Sequence, residues 1–334
     1  MPDEIQTDFK EDSESTSLWS AILNDRSFHL SFVLTFIFFG VGIAFLFFGL
    51  AEYGVALFVL LPVVLGIAIG SMKARRNALI GAVIATIIFL VGLYIPGLSG
   101  LLCIIMALPF IIPFIFLGYV IAILVKRYYK IKNTNKFSVL LLPLVPFLIV
   151  APAEHYLKNN KEAIIEVRTE QIFNFSPEEV YDAIKSVDTL DAEKPFLMTL
   201  DLPIPTKCVL EKEEVGGLRT CYFDPGKLSN ADFGGGTITE KITQLERGKV
   251  LKMDVIDYNL IGRKWLGFKE ALYYFDKVGE TNCKLTRITT YTSVLTPRFY
   301  WEPMEKLGIR QEHEYVFNNL AKDLQRKYDN RTKP

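Results

Sequence analysis

Residues 163–184 read AIIEVRTEQIFNFSPEEVYDAI, and the change of period inside this stretch decides the fold of the C-terminal half. Ala163 to Phe175 alternates and is rich in β-branched and aromatic side chains, the pattern of a half-buried strand. Ser176, Pro177, Glu178 and Glu179 then supply an N-cap hydroxyl, a proline at the first helical position and acidic side chains in the first turn. They predict a helix through Val180, Tyr181, Ala183, Ile184 and Val187.

Downstream, Asp188 to Pro205 is irregular and holds three prolines. Five strand-like runs follow, Lys207 to Val215, Leu218 to Asp224, Thr237 to Leu245, Lys249 to Tyr258 and Phe268 to Val278, and a sixth spans Cys283 to Val294. Gly216-Gly217, Glu246-Arg247-Gly248 and Gly279-Glu280-Thr281-Asn282 supply turns between them. After Pro297 the period becomes helical, with His313, Val316, Phe317, Leu320, Ala321, Leu324 and Tyr328 on one apolar stripe.

The order is strand, helix, six strands, long helix. With SPEEVYDAI at 176–184, the antiparallel run from Lys207 to Val294 and the C-terminal helix, it resembles the helix-grip fold of the SRPBCC superfamily, which includes START domains and polyketide-cyclase-like proteins. The resemblance covers Ala163 to Tyr328, inside a soluble α+β domain placed at 160–330. It implies a curved antiparallel sheet around the long C-terminal helix, enclosing an elongated apolar cavity. Members bind lipids, sterols, polyketides or plant hormones, and some are enzymes; one fold hosts many chemistries, so the likeness is about fold more than function.

Upstream the chain reads as membrane. There are 25 residues without a charge between Arg26 and Glu52, 20 between Glu52 and Lys73, and 49 between Arg76 and Lys126. About 20 apolar residues span a bilayer core as a helix. The longest run is broken at Pro96-Gly97-Leu98-Ser99-Gly100 and reads as two spans. Phe137 to Ala153 is shorter, with three prolines, and is the marginal fifth. The reading is an α-helical transmembrane region over 28–153, with spans at about 28–51, 53–72, 77–95, 101–125 and 137–153, after an acidic disordered tail over 1–27.

Lys73, Arg75 and Arg76 follow the second span; Lys126, Arg127, Lys130, Lys132 and Lys136 follow the fourth. The loops after the first and third hold no Lys or Arg, so the basic loops face the cytoplasm and the N-terminus is inside. Crossing by 137–153 puts the C-terminal domain outside; a segment lying along the interface keeps it inside. The first is expected, in the plasma (inner) membrane. The spans contain no Asp, Glu, Lys or Arg, which disfavours a transporter. Spacings such as Gly66 and Gly70, or Gly42 and Gly49, serve helix packing.

Net charge is zero, which argues against nucleic acid as a partner. Cys103, Cys208, Cys221 and Cys283 suggest neither a disulfide framework nor metal-ligand spacing. Alternation points Cys283, Leu285, Arg287, Thr289, Tyr291 and Ser293 inward, with Ile238, Glu240, Ile242 and Gln244 on one strand and Leu251, Met253 and Val255 on another. Arg287 and Glu240 are then either a structural ion pair, or rim positions, or a polar anchor for a ligand. Pro297 to Glu305, with Trp301, is the densest aromatic and charged cluster; it is either a packed helix start or a cavity mouth.

Glu312, His313 and Glu314 are adjacent on a helix and cannot chelate together; His313 reads as a hydrogen-bonded core histidine. Gly234-Gly235-Gly236 reads as a mobile loop, a candidate lid. No metal site, cofactor or catalytic constellation is expected. The leading reading is a membrane-anchored module that binds a lipid-like or other apolar small molecule through Arg287, Tyr291, Glu240, Trp301, Met253 and Leu285. The alternatives are a cyclase-like enzyme, distinguished by titratable groups converging in the cavity, and a scaffold with a filled core.

Overall fold

Asp25 accepts a hydrogen bond from the Ser27 amide at 2.6 Å and starts α1 (Arg26–Phe47), in a computed structural model that describes residues 20–157, 162–230, 232–262 and 265–332. Of the tail expected over 1–27, residues 1–19 lie outside the described residues, while 20–23 are helical and Asp25 is a helix cap. The chain divides into two compact units, Met1–Gly92 with Ala107–Asn159, and Leu93–Met106 with Asn160–Pro334.

The first unit is helical. After α1, a five-residue π turn (Ala56–Leu60) leads into the ten residues of α2 (Leu61–Gly70). Then come α3 (Arg75–Tyr94), α4 (Leu101–Tyr129), α5 (Phe137–Leu141), a 3-10 turn (Leu142–Leu144) and α6 (Val145–Leu157). Among the described residues, four stretches are long and apolar enough to cross a membrane: Arg26–Phe47, Arg75–Tyr94, Leu101–Tyr129 and Phe137–Leu157. Ala56–Gly70 is the short one, at about 22 Å for its helical rise. It is also the most enclosed, with Leu61, Leu65, Ala68 and Ile69 fully buried.

Small residues let this segment sit against α4. A Cβ on Gly66 would stand 2.0 Å from the Ile115 carbonyl oxygen, and one on Gly118 equally close to that of Val63. The segment's two ends meet different partners. At one, Lys73 N donates to Asn135 Oδ1 at 3.1 Å and Thr134 N to the Ser71 carbonyl at 3.0 Å. At the other, Glu154 accepts from the amides of Val55 and Ala56 at 2.9 and 2.8 Å, and His155 meets Glu52 at 2.6 Å. The Phe137–Leu157 stretch therefore starts beside the basic loops and ends beside the loop after α1.

The second unit is built on a seven-stranded antiparallel sheet in the order β1-β7-β6-β5-β4-β3-β2. Its strands are β1 (Ala163–Phe173), β2 (Ile204–Leu210), β3 (Leu218–Asp224), β4 (Gly236–Glu246), β5 (Val250–Leu260), β6 (Leu266–Val278) and β7 (Asn282–Ser293). Helices α7 (Pro177–Ile184), α8 (Phe196–Leu200) and the 35-residue α9 (Arg298–Thr332) complete it. The result is helix-grip-like: a curved sheet whose inner face packs on the long C-terminal helix.

Ser176 forms a full capping box with Glu179, which explains why the boundary at α7 was legible. Phe317, Leu320 and Leu324 of α9 pack with Met253, Tyr273, Phe275 and Leu285 of the sheet and with Tyr181 of α7. A second face of α9 buries Tyr315 against Leu190, Met198 and Ile204.

The differences from the expected pattern have local causes. β2 begins at Ile204 and includes Pro205; an edge strand tolerates a proline, and a bulge follows it. A bulge between Ile242 and Gln244 turns Gln244 out to solvent and half-buries Leu245 instead. The glycines at 234–236 are not a lid. Gly234 N donates to the Ile261 carbonyl at 2.9 Å, Ile261 N donates to that of Gly235 at 3.0 Å, and Gly236 (φ +142°) lies so close to Asn259 that a Cβ would collide with its carbonyl. Cys208 and Cys221, opposite each other on β2 and β3, form a disulfide, contrary to the expectation that the cysteines stay separate. Strand register, invisible in their sequence spacing, brings them together.

Candidate functional site

The register of β3 against β4 sets Arg219 opposite Glu240. Both are buried, at 3% and 7% exposed, and their side chains pair at 2.7 Å. Arg219 also donates to the Tyr273 hydroxyl and the Ile184 carbonyl, each at 3.4 Å. Burial opposes the guanidinium charge, yet Glu240 and Tyr273 hold its pKa above the usual arginine value. On β7, Arg287 reaches α9 and grips Glu312 with two N–H groups, at 3.1 and 3.0 Å. Its pKa is likewise raised, burial being outweighed by Glu312 and Tyr273.

Tyr273 stands between the two arginines, each guanidinium carbon 5.6 Å from its ring centroid. These groups line one cavity of about 80 Å³ between sheet and helix. Its apolar wall includes Ile184, Phe223, Ile238, Val255, Phe268, Ala271 and Val316; Thr289 and Glu270 add polar atoms, and the Cys208–Cys221 disulfide forms part of the wall. The Nε–H of Arg287 is buried and has no hydrogen-bond acceptor among the described residues.

The cavity is apolar over most of its lining, as the resemblance implies, but it is small and carries charged side chains on its wall. Beside the cavity, Tyr181, Phe317, Met253 and Leu285 pack in one buried cluster, all nearly inaccessible. The inward positions proposed from alternation divide accordingly. Arg287 and Glu240 do line the cavity, but they do not pair with each other: each has its own partner, Glu312 and Arg219. Met253 and Leu285 belong to the packed core.

Tyr291 donates to Glu305 at 3.1 Å in a separate buried network, where Ser293 and Arg298 hold the same carboxylate at 2.7–2.9 Å. Trp301 is buried at the start of α9, edge-on to Tyr300. Arg219, Tyr273 and Glu312 were missed as site residues. The alternation of β3 points Arg219 inward with Cys221 and Phe223, a signal available in the sequence; the reach of Arg287 to Glu312 on a distant helix is not.

His313 is fully buried, with Thr289 Oγ1 and Thr169 Oγ1 each 2.8 Å from a ring nitrogen. A neutral imidazole, with one donor and one acceptor, satisfies both hydroxyls. Burial, helped by the charge of Arg287, holds its pKa well below 6.5. The sign follows: below about pH 6.5 the unfolded chain takes up a proton that the folded chain refuses, so the contribution of this ring to stability is whole above that pH and is lost as pH falls below it. His313→Gln should flatten that loss, read from urea midpoints between neutral and mildly acidic pH; an unchanged slope contradicts the buried neutral ring. Among the described residues no group of three or more His, Cys, Asp or Glu side chains is placed to hold a metal.

Among solved structures, this chain is similar to the Zhui aromatase/cyclase of a Streptomyces species, with 13% identity over 50% of this chain and 96% of that one and a TM-score of 0.35. It is similar to norcoclaurine synthase from Thalictrum flavum in complex with dopamine and hydroxybenzaldehyde, with 14% identity over 49% and 88% and a TM-score of 0.34. A Staphylococcus aureus protein of unknown function gives 15% identity over 50% and 99%, with a TM-score of 0.34. No family model and no curated protein matches the sequence. No residue role passes from these structures to this chain.

Proposed function

We propose that the chain is a membrane-anchored binding module whose C-terminal domain takes up a compact small molecule in the cavity at Arg287. The observation that carries this reading is Arg287, which lines the cavity and whose fully buried Nε–H has no acceptor among the described residues, while the other charges on the cavity wall are paired. The ligand that fits has an apolar body, set against Phe223, Ile238, Phe268 and Val316, and one acceptor group, a carboxylate or phenolic oxygen, for the guanidinium. About 80 Å³ is far too little for a lipid chain and about half of the ~150 Å³ that takes up benzene in an engineered core, so the fit is to a short-chain acid, or to a single ring once the wall relaxes around it. Equilibrium dialysis of the purified full chain against benzoate tests it: uptake supports the reading, and no uptake of benzoate or similar small acids removes it.

A second reading is catalytic. Glu240, Glu312 and Tyr273 converge on the same cavity, and paired carboxylates beside a phenol are the equipment of general acid–base chemistry. Turnover of a bound molecule, rather than its release unchanged, distinguishes it.

The reading places five crossings in the membrane and the domain outside the cytoplasm. Three observations support it: the Lys and Arg bias of the loops, the run of Phe137–Leu157 from the basic loops to the opposite end, and the Cys208–Cys221 disulfide, which persists in oxidising compartments. Val215 lies exposed in the turn between β2 and β3. Val215→Cys should react with a membrane-impermeant maleimide in intact cells; reaction only after permeabilisation would contradict the orientation.

A further inference from the structure

The turn between α3 and α4 packs with the C-terminal domain, since residues 93–106 and that domain form one unit. The Tyr94 hydroxyl donates to the Leu228 carbonyl, and Asn230 Nδ2 donates to the carbonyls of Tyr94, at 2.9 Å, and Ile95. The Leu102 amide donates to Asp201 at 3.3 Å, and the Tyr300 hydroxyl donates to the Met106 carbonyl. Asp201 is fully buried there and also accepts from Ser229. α3 ends at Tyr94 and α4 begins at Leu101, so these domain loops are tied to the turn between two helices that are long and apolar enough to cross a membrane.

Large apolar side chains stand exposed around the same tie. Ile95 is 68% exposed, Leu98 69%, Leu228 48% and Phe299, next to Tyr300, 78%. Such a group of side chains on a water-facing surface is costly and marks a contact. Tyr94 and Tyr300 have the amphipathic rings that settle at the headgroup level, and Lys227 lies exposed beside Leu228, suited to anionic headgroups.

We propose that this face of the domain lies in the headgroup layer of the bilayer, with Phe299 and Leu228 inserted at its boundary with the acyl chains. The inference rests on the membrane-spanning reading. It adds that the domain is a peripheral membrane binder in its own right, held flat on the lipid surface by its own side chains rather than swinging on a tether.

The test uses the full chain in vesicles of phosphatidylcholine and phosphatidylglycerol. Bimane is attached at Phe299→Cys or Leu228→Cys in a Cys103→Ser background. Cys283 stays unlabelled, because burial pushes its thiol up to about 12. Val215→Cys is the aqueous reference, and Leu124→Cys, exposed on α4, the lipid reference. Bimane at 299 and 228 should be quenched severalfold more by a lipid carrying a spin label near its headgroup than by iodide, with position 215 showing the reverse. If position 124 reports lipid while 299 and 228 behave like 215, this inference is overturned and the spans stand. If 124 itself reports water, the membrane-spanning reading falls and the inference falls with it.

Discussion

Arg219→Met is expected to lower the stability of the C-terminal domain by about 3–5 kcal/mol, because it strands a buried carboxylate. Glu240 is 7% exposed and pairs with Arg219 at 2.7 Å; without the guanidinium its charge has no partner of comparable strength. Arg219 also ties β3 to the end of α7 through the Ile184 carbonyl and to β6 through Tyr273, so the loss reaches three elements. The double change Arg219→Met with Glu240→Leu removes both charges and should recover most of the loss, since a buried pair replaced by apolar side chains of similar size is close to neutral. Urea unfolding of the purified chain, followed by near-ultraviolet circular dichroism, measures both. A single variant as stable as the parent would mean that the pair is not enclosed.

Arg287→Met is expected to act on binding more than on stability. Its partner Glu312 keeps 19% of its side chain exposed, so water can solvate the carboxylate that the mutation leaves behind. The guanidinium meets Glu312 with two nitrogens, and its buried Nε–H has no acceptor among the described residues. A charge-assisted hydrogen bond contributes about 1.5–3 kcal/mol, and ~1.4 kcal/mol is tenfold, so benzoate affinity should fall roughly 10- to 100-fold. Benzamide, equal in size and uncharged, should lose much less. Equal losses for the two probes would show that Arg287 shapes the cavity without anchoring a ligand.

The contrast between these arginines shows what the sequence could tell and what it could not. Local signals carried the fold. The capping residues Ser176 and Glu179, the alternation of Cys283 to Ser293 and the stripe Val316, Phe317, Leu320, Leu324 each act within a few residues, and each reappears in the structure. The site depends on register and on distance. Alternation can say that Glu240 and Arg287 face inward; only the pairing of β3 with β4 decides that Glu240 meets Arg219, and only the packing of α9 decides that Arg287 meets Glu312. The disulfide is the same case, since Cys208 and Cys221 become neighbours through strand pairing. The size of the cavity was hidden for another reason: whether Met253, Tyr273 and Leu285 leave space or fill it is a matter of side-chain packing, to which a binary pattern is blind. Bulges at Ile242 and after Pro205 moved the strand faces where no residue type announced them.

The central claim is that the cavity between sheet and helix is a ligand site. Ala271 lines it and is 4% exposed, so Ala271→Phe places a ring inside it. The most direct measurement is mass spectrometry of the small molecules released when the purified full chain and its Ala271→Phe variant are denatured, with unfolding midpoints recorded beside it to show that both are folded. A compact acid or phenol released by the parent chain and absent from the variant is the expected result. The same molecules from both chains, or none from either after incubation with benzoate, would contradict it.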